Sequence, residues 1–142
     1  MLSPEQVAHF EAFGFLHLKE FLAAELSTLL AEHAAVLERQ YGDPEAPVTT
    51  RQWVRTLTDD TPAFQRLAEK RFAGIAEQLY GPDIFCAYTE ANRYAGDTNW
   101  HPDCAVNYNA PGVRFAFYLD PLGADTGALR IIPGSVSAIF AA

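Results

Sequence analysis

The pair Gly81-Pro82 divides this chain into two kinds of sequence. Before it, apolar residues recur at helical spacing. After it come four short runs, "IFCAYTEANRY", "DCAVNYN", "VRFAFYLD" and "ALRIIPG", rich in β-branched and aromatic residues and separated by turn signals. Proline lacks the N–H that a helix interior needs, and glycine before it frees the backbone, so no helix is expected to cross that point. Helices followed by about four strands is the order of an α+β fold, not of alternating βαβ units. A chain of 142 residues suits a single domain, taken here as residues 1–142. There is no internal repeat and no low-complexity tract.

Within the first half the helix signals are local and specific. Ser3-Pro4-Glu5-Gln6 combines a capping serine, a proline at the first helical position and an S-x-x-Q capping box. That helix should end near Phe13-Gly14, and "GFLHL" then reads as a short strand. A second helix is expected over residues 23–40, with Leu22, Leu26, Leu29, Leu30, Val36 and Leu37 on its apolar face. After the loop "YGDPEAPVTT", Trp53 and Val54 suit a short extended piece. Thr61-Pro62 opens a third helix whose stripe is Phe64, Leu67, Phe72, Ile75, Ala76 and Leu79. In the second half, "GADTG" predicts a tight turn.

Several function classes recede on composition. Lys+Arg number 10 against 18 Asp+Glu, and no basic cluster offers a nucleic-acid face, so no nucleic-acid partner is expected. No apolar run is long enough to span a bilayer, and "MLSPEQVAHF" lacks the features of a signal peptide. Cys86 and Cys104 do not make a disulfide framework, so the expected setting is a reducing cytoplasm, away from membranes.

The stretch with chemistry is "TNWHPDCAVNY", residues 98–108. Alternate residues of a strand share a face, so His101 and Asp103 could offer an imidazole nitrogen and a carboxylate oxygen to one ion. Such a pair begins a 2-His-1-carboxylate facial triad, which holds non-haem Fe(II) and leaves positions open. Spacing alone does not decide this. Pro102-Asp103 is also good turn chemistry, and the bland reading is a loop histidine beside a turn aspartate.

Three longer stretches carry a resemblance: "LSPEQVAHFEAFGFLHLKEFL", "NRYAGDTNWHPD" and "GVRFAFYLDPLGADTGALRIIPGS". In this order they resemble the phytanoyl-CoA dioxygenase family of Fe(II)/2-oxoglutarate-dependent oxygenases. The last is the most specific, and "NRYAGDTNWHPD" is most similar to the ectoine-hydroxylase branch. The resemblance implies N-terminal helices packed on a double-stranded β-helix, or jelly-roll, core. It implies Fe(II) and 2-oxoglutarate as cofactors, with O₂ and a small-molecule substrate as partners. His101 and Asp103 match the metal ligands. Asn92, and less closely Tyr88, match positions that help hold 2-oxoglutarate, and Trp100 matches a pocket position. Asp103 argues for hydroxylation, because related halogenases carry a small residue there. Bland readings stand beside these: a strand-end cap for Asn92, core packing for Tyr88 and Trp100, and solvent-facing strand arginines for Arg93, Arg114 and Arg130.

The likeness is incomplete. The family's third ligand is a histidine well downstream, followed by an arginine for the distal carboxylate of 2-oxoglutarate. No histidine follows His101, and Val136 stands where a histidine usually follows "PGS". His9 and His33 fall on helices and His17 on an outlying strand, so none is expected to complete the site. The sequence therefore reads as the N-terminal portion of such an oxygenase, without the last part of the barrel. The alternative is a catalytically inactive, truncated or degenerate jelly-roll module that pairs through an open strand edge after Ile132, with itself or with another chain. A cupin-like metal site is weaker, since His101 is the sole histidine of the β region.

Overall fold

A computed structural model describes residues 1–43, 46–102 and 112–135. Helix α1 spans Pro4–Phe13 and starts with the expected capping box. The Ser3 hydroxyl accepts from the Gln6 N–H, and the Gln6 side chain accepts from the Ser3 N–H. Gly14 closes it in the left-handed region at φ 76°, where any other residue would be strained. No strand forms at "GFLHL". Instead residues 19–25 coil through turns, and Ala23 and Glu25 bond back to the carbonyls of Glu20 and Leu22. This delays the second helix, so α2 covers Leu26–Tyr41.

The buried line of α2 is narrower than the leucine pattern suggests. Leu29 and Leu37 are buried, while Leu26 and Leu30 are exposed. Four-residue spacing from Leu29 leads through His33 to Leu37, so a histidine occupies the middle of the buried line.

The third helical stretch is continuous but not uniform. Helix α3 is Pro62–Leu67, a π-helical turn follows over Ala68–Phe72, and α4 is Ala73–Tyr80. The turn is marked by the Ala73 N–H bonding to the Ala68 carbonyl, five residues back. The N-terminus of α3 has no side-chain cap of its own. The Glu32 carboxylate on α2 supplies one, accepting from the N–H groups of Ala63 (2.8 and 3.0 Å) and Phe64 (3.3 Å). An anion at a helix N-terminus satisfies orphan donors and complements the dipole. The chain start is fastened to α4 by a reciprocal pair, Leu2 N–H to Gln78 Oε1 (2.7 Å) and Gln78 Nε2 to the Leu2 carbonyl (2.8 Å).

The sheet has two antiparallel strands among the described residues, β1 (Gln52–Val54) and β2 (Ala91–Arg93). Trp53 lies opposite Asn92 and Val54 opposite Ala91. The Tyr41 hydroxyl pins β1 to the end of α2, accepting from the Trp53 N–H (3.2 Å) and donating to its carbonyl (2.9 Å).

The mixed α+β order is therefore observed, but the expected strands are only partly so. "IFCAYTEANRY" forms a ladder only at Ala91–Arg93. "VRFAFYLD" and "ALRIIPG" carry no ladder among the described residues, and "DCAVNYN" lies outside them. A strand exists only where a neighbour hydrogen-bonds it, which composition cannot supply. Residues 112–120 nevertheless alternate strictly between half-buried and exposed. Phe115 stacks on Phe72 at 4.5 Å and 6°, and Phe117 meets Phe64 at 6.2 Å. The core is Leu29, Ala63, Phe64 and Leu67, with Leu22, Phe72, Phe117 and Leu119 packed against it. "GADTG" turns as expected: the Thr126 hydroxyl accepts from the Gly123 N–H at 2.7 Å.

Candidate functional site

The β1–β2 ribbon positions the first candidate residue. Asn92 sits within β2 and so is not a strand-end cap. Its Oδ1 accepts from Arg51 Nε at 2.8 Å, while Arg51 Nη2 meets Glu90 Oε1 at 2.6 Å. The Arg51 guanidinium also lies over the Tyr94 ring, 5.2 Å from its centre. Side chains two apart share a face, so Glu90, Asn92 and Tyr94 line one side and Arg93 the other. Arg93 is not solvent-facing, contrary to the expectation from sequence. It is half-buried and donates to the Ala46 carbonyl (3.1 Å) and Gln52 Oε1 (3.4 Å).

Tyr88 precedes β2 and is 58% exposed, so core packing does not describe it. Its hydroxyl accepts a short hydrogen bond from Arg114, whose guanidinium also approaches the ring, 5.7 Å from its centre. Arg114 belongs to the exposed set of the alternating segment whose other face packs on the helices. The pairing thus joins two runs that the sequence places on separate strands.

Trp100 is 60% exposed and is likewise not a core residue. Arg130 covers its ring at 5.3 Å, so this arginine too has a specific contact. His101 is exposed, with Nδ1 2.7 Å from the Asn99 carbonyl. A carbonyl only accepts, so Nδ1 carries a proton, and in the neutral ring Nε2 keeps its lone pair. Metal-binding histidines hold the same tautomer in the same way. In that form Nε2 carries no proton, as a metal ion requires of an imidazole nitrogen. Asp103 and Cys104 lie outside the described residues, and no cluster of three or more metal-binding side chains occurs among the described residues. No hydrogen bond or ring contact among the described residues joins His101 to Asn92 or Tyr88.

The remaining histidines are placed elsewhere. His9 packs between the rings of Phe13 (4.7 Å) and Phe15 (5.4 Å), and His17 is exposed. His33 is half-buried, and its Nε2 is buried without a hydrogen-bond partner among the described residues. Burial pushes its pKa down and nearby Arg93 adds to this, while Asp120 opposes both. Cys86 is a free, exposed thiol. The ties that sequence reasoning misses are Arg51–Asn92 and Arg114–Tyr88. Both are long-range pairings between polar residues, for which periodicity has no signal.

No helix among the described residues is long and apolar enough to cross a membrane. Searches of curated proteins and of solved structures give no significant match. The family comparison is positive and nearly spans the chain: the phytanoyl-CoA dioxygenase family model matches residues 10–137, from α1 through both strands and past the "GADTG" turn. On that match, the chain belongs to the phytanoyl-CoA dioxygenase family.

Proposed function

We propose that this protein is an Fe(II)/2-oxoglutarate-dependent dioxygenase that hydroxylates a small molecule. Family membership supports the reaction class, and the observation that carries the site is His101, with Nδ1 held by a carbonyl and Nε2 left as a donor to metal. His101 and Asp103 are the metal ligands this chain contributes. Asn92 and Tyr88 contact 2-oxoglutarate, and Trp100 lines the substrate pocket. Residues 1–142 form one unit, with helices supporting part of a jelly-roll core.

Ferrous iron with 2-oxoglutarate supplies the activation of O₂ when bound. The reaction consumes substrate C–H, O₂ and 2-oxoglutarate and yields C–OH, succinate and CO₂. The chain's own residues do the positioning. The Asn99 carbonyl fixes the His101 tautomer, and the Asp103 carboxylate adds negative charge that favours a divalent cation. The Asn92 amide and the Tyr88 hydroxyl are hydrogen-bonding groups for carboxylate oxygens. The aromatic side chains Tyr88, Tyr94, Trp100 and Tyr118, exposed in the described residues, provide apolar walls of the kind that keep water from a reacting carbon.

Titration calorimetry with Mn(II) tests the ligand assignment. His101→Ala and Asp103→Ala should each weaken binding by about a hundredfold or more, since even outer-shell changes cost roughly ten- to a hundredfold. Unchanged affinity in either variant removes that residue from the site. A second reading is favoured by the exposed Leu129, Ile131 and Ile132, which suit an interaction module pairing through an edge. A dimer by light scattering, with no succinate formed from 2-oxoglutarate, would select it.

A further inference from the structure

Arg51 carries no motif in the sequence, yet its guanidinium touches three groups on the face that carries Asn92. Nε donates to Asn92 Oδ1 (2.8 Å), Nη2 donates to Glu90 Oε1 (2.6 Å), and the plane covers the Tyr94 ring (5.2 Å). An asparagine amide has one accepting end and one donating end, and a guanidinium only donates. Arg51 can therefore be satisfied only by the oxygen. The Asn92 NH₂ is then turned away from Arg51, and it has no partner among the described residues. A carboxylate only accepts, so this end of the amide suits a carboxylate.

We propose that Arg51 is a positioning residue: it sets the Asn92 amide so that the NH₂, not the carbonyl, faces a carboxylate of 2-oxoglutarate. The idea rests on the reading of Asn92 as a cofactor contact. Without Arg51 the amide is free to flip, and in one orientation two oxygens would face each other. Glu90 and Tyr94 hold the guanidinium from two further sides, so the orientation is fixed before any ligand arrives. The register supports this, because Trp53 opposite Asn92 and Gln52 opposite Arg93 bring Arg51, two residues before Trp53, beside Tyr94.

Two measurements on the full chain test the proposal. The first is the side-chain NH₂ resonance pair of Asn92 in ¹⁵N-labelled protein without ligand, assigned by its loss in Asn92→Ala. Arg51→Lys keeps a positive charge for Glu90 but loses the fork, and Arg51→Met loses both. Both should move the Asn92 pair while leaving the β1–β2 backbone amides in place. An unmoved pair in both variants overturns the proposal. The second is 2-oxoglutarate affinity with Mn(II) present. Asn92→Ala and Arg51→Met should each weaken it about tenfold, the scale of one hydrogen bond to a charged group. The double variant should be no weaker than Asn92→Ala alone, because Arg51 acts only through that amide. Additive losses overturn the positioning role. Normal affinity in Asn92→Ala instead removes Asn92 as a cofactor contact. If the unmodified chain takes up no 2-oxoglutarate, the proposed function fails, and the resonance test still decides whether Arg51 orients the amide.

Discussion

The chain up to Tyr80 and the chain after it treat their apolar residues differently. In the first part, Leu29, Leu37, Phe64, Leu67 and Ile75 are buried, and helix ends find partners such as Ser3, Glu32 and Gly14. In the second, Phe85 is 76% exposed, and Trp100, Leu129, Ile131 and Ile132 are also open. Yet that second part is not loosely attached. Phe115, Phe117 and Leu119 lie on the helices, Tyr80 donates to the Gly112 carbonyl (3.1 Å), and Gly134 donates to the Phe13 carbonyl (2.8 Å). The difference is one of sidedness. The helices close a core around themselves, whereas the aromatic-rich segment is covered on one face and open on the other. The open face carries Arg114 and Tyr118, and Arg114 bonds to Tyr88. The segment therefore has a packed back and an open front.

The largest expected effect tests that sidedness directly. Phe64→Ala should destabilise the chain by about 3–5 kcal/mol, because it empties a core position that both parts share. Circular dichroism and tryptophan fluorescence should then report one common unfolding transition. Tyr118→Ala removes a ring of similar size from the open face and should change stability by only about 0.5 kcal/mol. Equal losses for the two would mean that the front of the segment is a second core, and the comparison would fail.

A smaller effect belongs to the helices alone. Glu32→Ala removes the carboxylate that caps α3 and leaves the Ala63 and Phe64 N–H groups unsatisfied. The expected cost is about 1–3 kcal/mol by urea unfolding, with Glu32→Gln in between. Ser3→Ala should cost about 1 kcal/mol through its capping box. If Glu32→Ala costs less than Ser3→Ala, the cross-helix cap contributes little to joining α2 and α3.

Those two caps also mark what can be read in the sequence. The Ser3 box is legible because both partners lie three residues apart, and local hydrogen bonding has a spacing. Glu32 is not, because its partners lie 31 and 32 residues away and nothing in "AEHAAV" points to them. The same holds at the site. Trp53 beside Val54 is recognisable as an extended piece, and His101 by its own motif, but Arg51 and Arg114 act through contacts across the fold. Core packing is the usual fate of aromatic residues, yet Tyr88 and Trp100 are exposed and each meets an arginine across the fold. Helix α2 teaches a similar lesson. Its leucines suggest a stripe, while the buried line passes through a histidine.

That histidine provides the finest contrast between the two parts, since His33 on α2 answers to Asp120 at the end of the aromatic segment and to Arg93 on β2. Burial, aided by Arg93, holds its pKa below the usual value of 6.5, and Asp120 pulls the other way. The folded state therefore binds this proton less readily than the unfolded chain does. Where the unfolded state binds more protons, stability rises with pH. The contribution of neutral His33 is thus complete above the unfolded value and declines as pH falls through it, levelling off below the folded value. Melting temperatures should drop from about pH 7.5 towards acid, and His33→Gln should flatten the part of that slope nearest the ordinary histidine range. Asp120→Asn takes away the opposing attraction, so it should lower the His33 pKa further and extend the loss to lower pH. An Asp120→Asn profile identical to that of the unmodified chain would mean that the charge at the end of the aromatic segment does not reach α2.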